Sequence, residues 1–73
     1  MEVKNGVLVK VDDDDIDENG YFDSFDGIKA IEEYAFSHCE KLTNIFIPSG
    51  ITSIGKGAFY ACPNLTRVSI YAD

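Results

Sequence analysis

IKAIEEYAFSHCEKLTNIFIPSG at residues 28–50 and ITSIGKGAFYACPNLTRVSIYAD at residues 51–73 are two versions of one pattern. Laid one on the other, they set Ile28 on Ile51, Ile31 on Ile54, Ala35-Phe36 on Ala58-Phe59 and Cys39 on Cys62. Leu42-Thr43 likewise falls on Leu65-Thr66, Ile45 on Val68 and Ile47 on Ile70. Self-similarity at such a period marks a stacked array, in which each unit lays its apolar side chains against its neighbours.

Each unit divides in the same way. The I-x-x-I spacing of Ile28/Ile31 and Ile51/Ile54 describes a short extended segment dipping into a core. Glu32–Phe36 and Lys56–Phe59 follow and read as one turn of α- or 3₁₀-helix. Alanine is small there because a neighbouring backbone passes close, and phenylalanine fills the space between layers. The segments from Leu42 to Ile47 and from Leu65 to Ile70 then read L-x-x-[IV]-x-I, a strand with apolar residues on one side. Pro48 and Ser49-Gly50 supply the bend between units.

The chain before the repeats continues the pattern less well. VKNGVLVKV at residues 3–11 reads as a hairpin turning at Asn5-Gly6, a dipeptide suited to the positive φ of a type I′ turn. Val7, Val9 and Val11 alternate with Leu8 and Lys10, a strand pattern apolar on one side and mixed on the other. DDDDIDENG at residues 12–20 reads as a solvated loop ending in a turn at Asn19-Gly20. By the displacement that relates the two repeats, Phe22 falls on Ile45 and Asp26-Gly27 on Ser49-Gly50. Residues 1–27 are therefore expected to hold a capping hairpin, the acidic loop and a degenerate first rung, and residues 28–73 two 23-residue repeats.

With these residues in place, the chain resembles the BspA-type leucine-rich repeats, also described from spirochaete surface antigens. The typical unit is similar to I-P-x-x-V-T-S-I-G-x-x-A-F-x-x-C-x-x-L-T-x-I. The run from Ile47 to Val68, IPSGITSIGKGAFYACPNLTRV, follows it almost position by position. The resemblance covers residues 28–73. It implies an α/β repeat fold, a short leucine-rich-repeat solenoid with a parallel strand ladder and an N-terminal β-hairpin cap. It also implies a non-catalytic, adhesin-like module that binds protein and belongs to a larger surface or secreted protein, since family members are usually longer arrays exposed at cell surfaces.

The strand pattern locates the binding face. Apolar positions of L-x-x-I-x-I point inward, and the intervening ones point out along a ladder rising roughly 4.8 Å per rung. The outward set is Tyr21, Asp23, Asn44, Phe46, Arg67 and Ser69, with Thr43, Thr66 and Tyr71 beside it. An outward aromatic in mid-strand, Phe46, has the character of an interface anchor; the plainer reading is that it packs on a neighbouring rung. At the other extreme, Val68 and Ile70 form a last rung with only Tyr71-Ala72-Asp73 after it, so the expectation is either self-association through this uncapped repeat or a fragment whose next repeats are missing.

Charge and composition narrow the partners. Of 73 residues, 13 are acidic and six basic, for a net charge of −7, and eight of the acids fall between Asp12 and Asp26. An acidic lobe on a nearly neutral body argues against nucleic acid and anionic membranes. No run reaches the roughly 20 apolar residues of a membrane-inserted helix, and MEVKNGVLVKV lacks the apolar core of a secretory signal. The protein is expected to stay inside the cell or to be a piece of a longer chain.

Four smaller motifs carry candidate chemistry. DIDENGYFDSFD at residues 15–26 spaces Asp15, Asp17, Asn19, Asp23 and Asp26 as in an EF-hand or dockerin loop with glycine at the sixth position. It supports a calcium-binding module as the alternative function; an Asp-rich turn also fits the spacing. Cys39 and Cys62 share one repeat position and read as two reduced thiols stacked in the core, because parallel Cβ vectors hold their sulfurs apart. His38, the sole histidine, aligns with Ala61 and reads as an exposed side chain without metal or catalytic company. Asn64-Leu65-Thr66 fits a glycosylation acceptor and, more simply, a turn into a strand.

Overall fold

The repeat displacement becomes hydrogen-bond register in the computed structural model, which describes residues 1–71. Strands β1 (Glu2–Lys4) and β2 (Val7–Lys10) form the hairpin. A 3₁₀ turn (Asp13–Asp15) precedes the two-residue strands β3 (Tyr21–Phe22) and β4 (Ala30–Ile31). Then come β5 (Asn44–Ile47), β6 (Ser53–Ile54) and β7 (Arg67–Ile70).

These strands make two sheets, ordered β1-β2-β4-β6 and β3-β5-β7, and every pairing except β1-β2 is parallel. In the first, Leu8 sits beside Ile31 and Ile31 beside Ile54. In the second, Phe22 sits beside Ile45 and Ile45 beside Val68. Both rows keep the displacement that relates the two repeats in the sequence, so the chain is a repeat fold of three rungs. Strand β2 already belongs to the first rung.

The hairpin turns as its sequence indicates, with Asn5 at φ 51° and Gly6 at φ 79°. Its inward side is not the valine side. Leu8 is fully buried and Val7 and Val9 only half-buried, because parallel pairing with β4 puts Leu8 in the Ile31 row. Val11 is buried as well, but it lies beyond the strand, where the chain turns into the core.

The helical half of the α/β expectation fails. The 3₁₀ turn at Asp13–Asp15 is the sole helical element among the described residues, and Glu32–Phe36 and Lys56–Phe59 are successive tight turns. Ala35 N–H donates to Glu32 O, Ser37 to Tyr34 and Cys39 to Phe36, each bond closing a single turn. Tyr34 and His38 take positive φ (57° and 62°), as do their repeat counterparts Gly57 and Ala61 (64° and 56°), which breaks the helical run. The decisive bonds are non-local. The N–H groups of Tyr34, Phe36 and His38 donate to the carbonyls of Lys56, Ala58 and Tyr60 on the next rung, so they are not available to a helix.

The core is a column between the two sheets and this turn flank. Phe36 lies at its centre, fully buried, with its ring 5.1 Å from Phe22 and 5.1 Å from Phe59. Leu42, Ile45, Ile47, Ala35 and Cys39 surround it. The alanine positions answer to close approach: Val11 N–H donates to Ala35 O at 2.9 Å and Phe36 N–H to Ala58 O at 2.7 Å.

Candidate functional site

Strand β5 alternates strictly, with Ile45 and Ile47 buried and Asn44 and Phe46 turned outward. Parallel pairing repeats that choice on its neighbours, giving a row Tyr21–Asn44–Arg67 and beside it Phe46–Ser69. Asp23 lies just past the end of β3 and is exposed. All six line one shallow groove of about 320 Å³, floored by Phe22 and Ile45 and closed at one side by Asp17. A second hollow of about 310 Å³ adjoins it, lined by Asp23, Phe25, Asp26, Phe46 and Pro48. Phe46 and Asp23 therefore stand between the two.

Phe46 keeps half its surface in solvent, and its ring meets Tyr71 edge-on at 4.8 Å. Tyr21 and Tyr71 are exposed as well, so three aromatic rings mark this flank. Thr43 and Thr66 do not join it. Their hydroxyls donate to the rung before, Thr43 to Gly20 O at 3.3 Å and Thr66 to Thr43 O at 3.2 Å. Asp17 is the lining residue that sequence reading missed. The Asn19-Gly20 turn returns the chain so that Asp17 N–H donates to Tyr21 O, and that turn was the available signal.

The acidic loop is more than a solvated loop. Asp17 Oδ1 accepts the amides of Asn19 and Tyr21 at 2.8 and 2.9 Å, and Asp13 Oδ1 accepts the Lys41 amide at 3.0 Å. Asp15 accepts the Asp12 amide and pairs with the Met1 ammonium, both at 2.9 Å. The amide bond and then the ammonium hold the Asp15 carboxyl below its usual range, and the same contact holds the Met1 amine above its own. These carboxylates thus serve backbone donors at the edge of the first rung. The expected calcium set of Asp15, Asp17, Asn19, Asp23 and Asp26 is not drawn together. Among the described residues no three His, Cys, Asp or Glu side chains are placed to hold a metal.

The cysteines are free and stacked. Cys39 Sγ donates to Val11 O at 3.4 Å and Cys62 Sγ to Phe36 O at 3.0 Å, each reaching one rung back. Burial pushes the Cys39 thiol up to about 11 and the Cys62 thiol up as well. Because the folded state holds the Cys39 proton more tightly, the stability linked to it is present below the ordinary thiol range and is lost as pH rises toward 11. Iodoacetamide at pH 8 is expected to modify half-buried Cys62 first, and buried Cys39 only at the rate of local opening. Peptide mass spectrometry over time checks this; equal rates would place Cys39 at the surface.

His38 is exposed, its ring edge-on to Tyr60 at 5.8 Å, and Tyr60 meets Tyr34 at 6.0 Å. Asn64 Nδ2 donates to Glu40 O at 2.7 Å, which fits a turn residue tying two rungs. No polar or charged side chain is buried among the described residues.

Comparison with known proteins gives one match. The family model described as "BspA type Leucine rich repeat region (6 copies)" matches residues 19–73. No curated protein and no solved structure matches the chain.

Proposed function

The chain belongs to the BspA-type leucine-rich repeat family, and from that premise we propose that it is a short solenoid recognising another protein through the outward flank of β3, β5 and β7. The family makes it a repeat module of the protein-interaction kind, generally without catalysis. The finer reading assigns contact to Tyr21, Asp23, Asn44, Phe46, Arg67 and Ser69. What supports it is the groove they line together, with Phe46 half in solvent although it stands in mid-strand. Leaving a phenylalanine ring half exposed forgoes about 1 kcal/mol or more of burial, and a partner's apolar side chain would recover it.

Charge adds the partner's chemistry. Asp17 and Asp23 border the groove on a chain of net charge −7. A protein segment carrying Lys or Arg next to an apolar or aromatic residue is the complement. The surface or secreted setting implied by the family belongs to the same proposal. Helices among the described residues are all too short to cross a membrane.

The test is a displayed peptide library selected on the whole chain and re-screened on Phe46→Ala. Clones rich in Lys, Arg and apolar residues are expected, with affinity falling about 30-fold or more on Phe46→Ala, as for a hot-spot anchor. Circular dichroism should be unchanged. Clones binding both proteins equally, or a Phe46→Ala chain that fails to fold, would overturn the assignment of this face.

A further inference from the structure

Asp23, Phe25, Asp26, Phe46 and Pro48, all from the first two rungs, line the second hollow. Its floor is apolar. Phe25 is buried against Phe22, their rings edge-on at 5.2 Å, and Phe46 stands half in solvent. Its rim holds two exposed carboxylates and no cation. Asp13, Asp15 and Asp17, earlier in the same acidic stretch, are engaged by amides or by the Met1 ammonium. Among the described residues the side chains of Asp23 and Asp26 take part in no hydrogen bond and no ion pair. The groove on the other side of Phe46 differs. It carries its own cation, Arg67, and one of its acids, Asp17, already accepts two amides. Charge therefore divides the flank into a nearly balanced groove and a negative hollow.

We infer that this second hollow is an arginine pocket, which takes a guanidinium from the partner protein while an uncharged apolar side chain fills the groove across Phe46. The inference deepens the reading of this flank as a protein-binding face and rests on it. Arginine suits the hollow better than lysine. A guanidinium is planar and weakly hydrated, so it settles on an aromatic ring at a smaller desolvation cost than an ammonium. Its five donors are spread around a fork, so carboxylates from two different residues can each accept from it. At about 310 Å³ the hollow is at the small end of ligand cavities and has room for one long side chain. Spacing describes the rest of the bound segment. On β5 the groove runs from Asn44 to Phe46 and the hollow from Phe46 to Pro48, a displacement of two residues or about 7 Å. Side chains i and i+2 of an extended segment lying along β5 face one way at that same spacing. The recognised sequence is thus an arginine with an apolar residue two positions away, astride Phe46.

Amide spectra of the whole chain, titrated with N-acetyl-arginine amide and N-acetyl-lysine amide at low ionic strength, test it. The arginine compound should give saturable shifts centred on residues 23–27 and 46–49, a readout that needs no variant to fold. The lysine compound should bind about threefold or more weakly. Asp26→Asn should weaken the arginine compound about threefold, as expected for one exposed charge partner. Asp14→Asn removes the same charge from an exposed residue that lines neither hollow, and should leave binding unchanged. In peptides selected on the flank, replacing the arginine by lysine should cost a similar factor. Absence of saturable shifts, shifts centred elsewhere, equal binding of the two compounds, or equal losses in Asp26→Asn and Asp14→Asn would overturn the pocket. Selected peptides that need Phe46 but ignore Asp26→Asn would overturn it as well, and leave the protein-binding face standing. Failure to select any Phe46-dependent peptide would instead overturn the face, and the pocket as part of it.

Discussion

Phe36→Ala is expected to remove a large share of the protein's stability. Its ring is fully buried and bridges all three rungs, touching Phe22 of the first and Phe59 of the third at 5.1 Å each. Truncation removes the transfer free energy of the ring and opens a cavity between rungs, about 3–5 kcal/mol together. A domain of 73 residues holds about 4–11 kcal/mol in total at the usual 0.05–0.15 kcal/mol per residue. The melting temperature should fall by more than about 12 °C. Phe59→Ala is the internal control. It removes the same ring one rung later, where the side chain is only partly buried, and should cost less than half as much. Urea titrations followed by circular dichroism give both values. Equal costs would mean that the third rung is as well covered as the second.

The parts legible in the sequence are those governed by side-chain alternation. Ile45 and Ile47 inward with Asn44 and Phe46 outward follows from the strand period alone, and the repeat displacement carries it to Val68, Ile70, Arg67 and Ser69. That is why the outward positions Asn44, Phe46, Arg67 and Ser69 could be named without coordinates. The turn flank was not legible, because its backbone is set by bonds from Tyr34, Phe36 and His38 to the rung that follows. No local propensity encodes those bonds. One sequence trace of them exists: Tyr34 aligns with Gly57, and a tyrosine exchanging with glycine marks a left-handed position.

The place of β2 in the first rung was hidden for a different reason. Residues 9–20 lack the Ala-Phe pair, so Leu8 could not be tied to Ile31 by motif, and the all-valine side of β2 is not the side that is buried. The acidic run concealed its task as well. Aspartates spaced two apart suit a calcium loop and equally suit turns in which carboxylates accept neighbouring amides. Asp13 and Asp17 are distinguished only by what they touch, the amides of Lys41 and Tyr21.

Gly55→Ala is expected to detach the third rung from the second. A Cβ at Gly55 would stand 2.4 Å from Glu33 N, 2.7 Å from Glu32 C and 2.8 Å from Glu33 Cα, all of them backbone atoms. At Gly57 the obstacle is the Tyr34 ring, which can swing aside; at Gly55 nothing flexible can yield. The rungs must separate there, straining the bonds from Gly55 N–H to Ile31 O at 2.7 Å and from Tyr34 N–H to Lys56 O at 3.2 Å. Overpacking of this kind costs about 1–3 kcal/mol, and more where the neighbour is rigid. Gly50→Ala is the contrast, with open space around the new methyl group and no positive φ, and should be neutral or stabilising by up to about 1 kcal/mol. Hydrogen exchange separates the outcomes. In Gly55→Ala the amides of residues 51–71 should lose protection well before those of β2 and β3, since the first rung's contacts do not pass through Gly55. Uniform loss along the chain would show that the three rungs melt as one unit, and unchanged protection would show that the rung spacing at Glu33 is wider than the register of β4 and β6 requires.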